Sequence, residues 1–132
     1  MSGESNLKKL LSSLSPVLTE GEYVFCTFAD AEYGDYSEFH PVAAIGEDEG
    51  LTLVIPKTMA DQHDLSYESV YKKITLQVHS SLDAVGLTAA FAGKLADYQI
   101  SANVCAGLYH DHLFVQSRDA NRALEALSEL TG

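Results

Sequence analysis

The run His79-Ser80-Ser81-Leu82-Asp83-Ala84-Val85-Gly86-Leu87 joins the end of a β-patterned segment to the start of a helical one. A helix start carries backbone N–H groups with no intrahelical acceptor, together with the positive end of the helix dipole. Such a junction suits a carboxylate. Ser80 or Ser81 can add a hydroxyl, and Gly86 lets a ligand approach the backbone closely. The same residues have a purely structural reading. Ser80-Ser81-Leu82-Asp83 also matches a capping box, which would exist only to start a helix.

Asn103 is a second candidate. It is an amide in the middle of an alternating segment, on the face opposite the apolar one, and serves either a ligand or an interface hydrogen bond. A zwitterionic ligand would also need its amine matched. Asp30, beside the segment YVFCTF, and Glu49, in an acidic turn, are carboxylates that could do so, with nothing to choose between them.

Other arrangements look chemical and fall short. His110 and His112 are two residues apart, so they would share one face of a strand, and with His79 they could form a three-histidine site. Tyr109 to Asp111 reads instead as a turn, and no carboxylate or cysteine is spaced to complete a metal site. No metal is expected. No G-x-S-x-G elbow or glycine-rich phosphate loop occurs, and Ser80 beside His79 is not a triad. Cys105 falls inside a strand pattern without an evident base. Neither a catalytic residue nor a cofactor is expected.

The totals bound the rest. The chain of 132 residues is 46% hydrophobic and 20% charged, ordinary values for a globular protein. Its net charge of −11 repels nucleic acid and anionic membrane surfaces, and no basic cluster offsets it. No apolar run reaches the roughly 18 residues of a membrane span, and no secretory leader pattern opens the chain. The two cysteines, Cys26 and Cys105, lie in predicted strands and read as buried thiols. A cytoplasmic protein is the expectation.

Stepping along the chain, Leu7, Leu10, Leu11 and Leu14 form one helical stripe, which Pro16 should end. Glu22 to Phe28 reads as a central strand with two apolar faces. Ala29 to Glu38 is an acidic loop, either a solvated turn or a cation-facing lid. Pro41 to Gly46 and Leu51 to Ile55 read as strands joined by the turn Glu47-Asp48-Glu49-Gly50, and Pro56 should open a short helix reaching about Leu65. A polar link leads to a strand over Ile74 to Val78.

Leu87, Phe91, Leu95 and Tyr98 then make one helical face, with Gly93 read as a close-packing position. Ile100 to Ala106 alternates, with Ile100, Ala102, Val104 and Ala106 facing one way. Leu113 and Val115 share a strand face, and Ala120, Ala123, Leu124, Leu127 and Leu130 make a last helix that Ser117 can cap. Helices should cover one face of antiparallel sheets in an α+β design. The other face of the second half carries Thr75, Gln77, Ser101, Asn103, His112, Phe114 and Gln116, half polar and expected to meet another sheet or subunit.

The second half resembles an ACT domain, a ferredoxin-like βαββαβ regulatory fold. The resemblance rests on the strand ITLQV, the turn and helix SSLDAVGLTAAFAGKLA, the strands ISANV and HLFV, and the helix ANRALEAL. Asp83-Ala84-Val85-Gly86 takes the place of the family's glycine-containing strand-to-helix turn. VHSSLDAVGLTAA together with YHDHLFV resembles a bacterial family of short tandem ACT proteins and the amino-acid-sensing ACT tandems of eukaryotes. The first half is similar through YVFCTF and EDEGLTLVIP, so the resemblance covers nearly the whole chain.

It implies two ACT-like halves, residues 1–70 and 71–132, and a non-catalytic regulatory protein. The ligand implied is an amino acid or related metabolite at the His79 to Leu87 turn, bound between the halves or across a homodimer. The alternative is a protein-interaction module that needs no ligand, using the sheet face around Asn103 and Phe114. Two departures stand out: the first half opens with a helix rather than a strand, and the chain lacks a strand after the last helix. Either Ile74 to Val78 serves both halves, or the halves complete each other by pairing.

Overall fold

The computed structural model describes residues 7–77 and 86–131. The chain forms two compact units: Glu20–Tyr71, and Met1–Thr19 taken with Lys72–Gly132. No helix among the described residues is long and apolar enough to cross a membrane.

The discontinuous unit starts with α1 (Leu7–Ser12), from which Leu11 packs toward the core, followed by Leu14, which is 4% exposed. The helix ends at Ser12, before Pro16 is reached. Ser15–Leu18 forms a strand, β1, antiparallel to β5 (Tyr71–Gln77), with Pro16 opposite Leu76 and Leu18 opposite Ile74. A proline has no N–H to give a second neighbour, so it is tolerated in a strand paired on one side. Four residues containing a proline carry too little pattern to mark this strand in the sequence.

β1 supplies the strand missing after the last helix. The remaining elements are α3 (Leu87–Asp97), β6 (Ala102–Ala106), β7 (Asp111–Gln116) and α4 (Ala120–Ser128). The strand order in this unit is β1-β5-β7-β6. Ile74, Leu76, Leu113 and Val115 turn one sheet face toward Phe91 and Leu95 of α3 and Ala123 and Leu127 of α4, and all eight are fully buried. Burying each large side chain contributes roughly 1.5–3 kcal/mol.

Three local expectations change. Ile100 is buried but precedes β6, its N–H bonded to the Leu95 carbonyl, while Val104 is 37% exposed. Ser117 opens a 3-10 turn, Ser117–Asp119, and α4 starts after Asp119 with no side-chain cap. Gly93 has nothing within 4 Å of where a Cβ would stand, so close packing does not explain it.

The Glu20–Tyr71 unit contains β2 (Tyr23–Phe28), β3 (Ala43–Glu47), β4 (Gly50–Pro56) and α2 (Lys57–Gln62). β2 pairs antiparallel with β4 along its length and with β5 at Tyr23 and Tyr71 alone, which gives it the central place in the strand order that its two apolar faces suggest. β5 thus pairs with β2 at its first residue and with β1 from Ile74 onward.

The β3–β4 hairpin turns on Asp48-Glu49, with Glu47 opposite Gly50. Gly50 has φ +147°, and a Cβ there would stand 2.5 Å from the Phe28 carbonyl oxygen, so only glycine fits. Pro56 closes β4 and stands just before α2 rather than at its first position, and the helix stops at Gln62. Val24, Cys26, Phe39, Leu51, Leu53, Ile55 and Ala60 form the core of this unit.

The acidic loop is anchored by rings. Tyr36 stacks on Phe28 with centroids 4.2 Å apart, and Phe39, 6% exposed, lies 5.5 Å from Tyr36 and 4.7 Å from His63. Asp30, Tyr36 and His40 adopt positive φ values of 63°, 64° and 55°, which let the short loop fold back on the sheet.

Candidate functional site

The ligand turn proposed from sequence runs into α3. Of its residues His79, Ser80, Ser81, Leu82 and Val85 lie outside the described residues, whereas Gly86 and Leu87 lie within them. Gly86 is left-handed, with φ 88° and ψ −8°, and serves as the N-cap of α3 without a side-chain cap bond. Its carbonyl accepts the Ala90 N–H at 2.9 Å. A Cβ at Gly86 would stand 3.4 Å from Leu7 Cδ2 of α1, an ordinary contact, so it is the left-handed φ that restricts the position.

Leu87, 4% exposed, belongs to the core and fixes the helix start against the sheet. The helix begins at Leu87, and the capping box read over Ser80 to Asp83 lies outside the described residues. Its eleven residues direct the positive dipole end to the Gly86 backbone. Chemically, that end can stabilise a carboxylate.

Asn103 is exposed on β6, and its Nδ2 donates to the carbonyl of its cross-strand partner Phe114 at 3.4 Å. Phe114 itself is 1% exposed, although it lies on the strand face opposite Leu113 and Val115. The face expected to meet another sheet or subunit is therefore buried at Phe114 and exposed at Asn103.

Asp30 and Glu49 belong to the other unit and are both exposed. Asp30 follows β2 by two residues and Glu49 precedes Leu51, the partner of Phe28, by two. Both carboxylates therefore lie at the same end of the β2–β4 pair.

The histidines separate. His110 lies in the β6–β7 turn, where its carbonyl accepts the Gly107 N–H at 2.9 Å. His112 sits in β7, its Nδ1 3.0 Å from the Thr75 hydroxyl oxygen on β5. Partial burial holds the His112 imidazole below its ordinary pKa, and the charges of Lys73 and His110 act in the same direction. No group of three metal-ligating side chains forms among the described residues. Cys105 faces His112 across the β6–β7 pair, but burial pushes its thiol up, away from the thiolate a nucleophile requires. Burial raises the Cys26 thiol likewise.

One feature of the Glu20–Tyr71 unit has almost no mark in the sequence. The polar link before β5 carries Tyr67 and ends at Tyr71, and with Phe25 of β2 these residues line a groove of about 420 Å³. The only signal was two tyrosines in an otherwise hydrophilic stretch, SYESVY.

The comparisons agree with this architecture. ACT domain models match residues 2–72 and residues 68–129. A Vibrio cholerae protein of unknown function, VC0802, described as a possible transport protein, is 52% identical in sequence. The match covers 96% of each chain with a TM-score of 0.87. Atu0741 from Agrobacterium tumefaciens shares the fold at 16% identity, with 89% of each chain covered and a TM-score of 0.69. The aspartate kinase of Clostridium acetobutylicum shares it at 8% identity over 89% of this chain and 34% of its own, with a TM-score of 0.60. No protein of curated function matches the sequence. With family matches to both halves in succession, the chain belongs to the ACT domain family and carries two such domains in tandem.

Proposed function

We propose that this protein is a regulatory binding protein without catalytic activity, which takes an amino acid or a related metabolite at the turn from His79 to Leu87. In this reading the halves are residues 1–70 and 71–132, and the protein works as a cytoplasmic homodimer. The observation that carries it is the start of α3, where a left-handed glycine leads an eleven-residue helix with no side-chain cap. The family membership supports a regulatory role.

The ligand carboxylate accepts from backbone N–H groups at that start, with a hydroxyl from Ser80 or Ser81, and an acidic side chain matches the amine. Asp30 and Glu49 are the exposed carboxylates named for this role.

Calorimetry against the twenty amino acids tests the reading. At least one should bind, and Gly86→Asp, which puts a like charge beside the ligand carboxylate, should abolish that binding. Absence of binding at millimolar concentration for every amino acid would overturn it.

A further inference from the structure

The groove in the Glu20–Tyr71 unit has its own chemistry. Tyr23, Phe25 and Thr27 share one face of β2, while Val24 and Cys26 of the opposite face enter the core. β2 meets β5 at Tyr23 and Tyr71, and the residues just before Tyr71 line the opposite wall of the groove. At about 420 Å³ it falls within the size range of small-molecule sites.

Its walls are fixed. The Phe25 and Tyr71 rings meet edge to face, with centroids 5.1 Å apart and planes at 69°. Tyr67 donates its hydroxyl to Asp61 Oδ1 at 2.7 Å, and the other oxygen of that carboxylate accepts from Lys57 Nζ at 2.8 Å. The Ser66 carbonyl accepts from the Cys26 thiol at 3.5 Å, which ties the link to β2.

The charge is one-sided. Among the described residues Glu68 is the one acidic or basic side chain lining the groove, Ser66 and Ser69 add hydroxyl acceptors, and the Lys57–Asp61 pair stands behind Tyr67. Aromatic faces carry negative potential. An anion would be repelled by Glu68. A neutral ligand would forgo the attraction of the rings and the carboxylate.

We propose that this groove binds a small organic ammonium ion, its charge against Glu68 and its carbon body along Phe25, Tyr67 and Tyr71. The ammonium group supplies three donors, which Glu68 and the serine hydroxyls accept. This site is separate in sequence and chemistry from the turn at Gly86.

The test uses the full chain with 2-phenylethylammonium and its neutral counterpart 2-phenylethanol, followed by NMR. The wild type should bind the ammonium about tenfold more tightly than the alcohol, with shifts at the Tyr67 and Tyr71 rings. Glu68→Gln, at an exposed position, should remove that preference. Gly86→Asp should leave it intact, so loss of amino-acid binding and loss of ammonium binding are read independently. Equal affinity for the two probes, no binding of either, or a preference that survives Glu68→Gln would each overturn the proposal.

Discussion

Pro16 lies opposite Leu76, in register across the antiparallel pair of β1 and β5. A residue near the start of the chain thereby borders a fully buried side chain in the second half. Leu14, Leu18 and Leu11 reach the same core. Leu14→Ala should cost about 2–5 kcal/mol, read as a lowered midpoint in denaturant unfolding. Deleting residues 1–19 should go further and leave Lys72–Gly132 without a cooperative transition by circular dichroism.

Two glycines should respond with opposite signs. Gly50→Ala forces a Cβ against the Phe28 carbonyl at a φ that side chains avoid, and should destabilise by about 2 kcal/mol or more. Gly93→Ala meets open space inside a helix and should stabilise by up to about 1 kcal/mol. Thermal unfolding of the two variants side by side checks both.

His112 gives a pH dependence of defined sign. Its folded pKa lies below the ordinary 6.5, so the unfolded chain takes up a proton first as the solution is acidified. Stability from this group is present above 6.5 and falls as pH drops from there toward the depressed value. Asp111, raised by burial, acts oppositely, its contribution being complete only below about 3.8. His112→Gln should flatten the stability profile just below pH 6.5, and by removing the charge that opposes the burial of Asp111 it should push the Asp111 carboxyl up further.

Phe114→Ala should cost about 3–5 kcal/mol, because the ring is buried within one chain. Were Phe114 an exposed contact residue, the same substitution would leave chemical unfolding nearly unchanged.

Much of the fold was legible where periodicity is long. Leu87, Phe91 and Leu95 mark α3, and the alternation about Leu113 and Val115 marks β7, since each repeats its pattern over several residues. β1 was hidden because its identity comes from its partner: Ser15–Leu18 becomes a strand only beside Ile74–Gln77. Alternation put Phe114 on the face opposite Leu113 and Val115, but its near-complete burial was not legible, because alternation assigns a side chain to a face and says nothing of what covers that face. Gly86 was legible as a turn glycine, and its left-handed φ agrees. The groove was not legible, since Phe25 and Tyr71 are far apart in sequence and meet only through strand pairing.

The chain leaves the discontinuous unit at Thr19 and returns at Lys73, where the Thr19 N–H donates to the Lys73 carbonyl at 2.9 Å. On the ribosome β1 must therefore wait, unpaired, until β5 has been synthesised, while Glu20–Tyr71 can already collapse around local hairpins. Pairing β1 with β5 therefore closes a loop that spans the whole of Glu20–Tyr71, an entropic cost that local pairing within that unit does not carry.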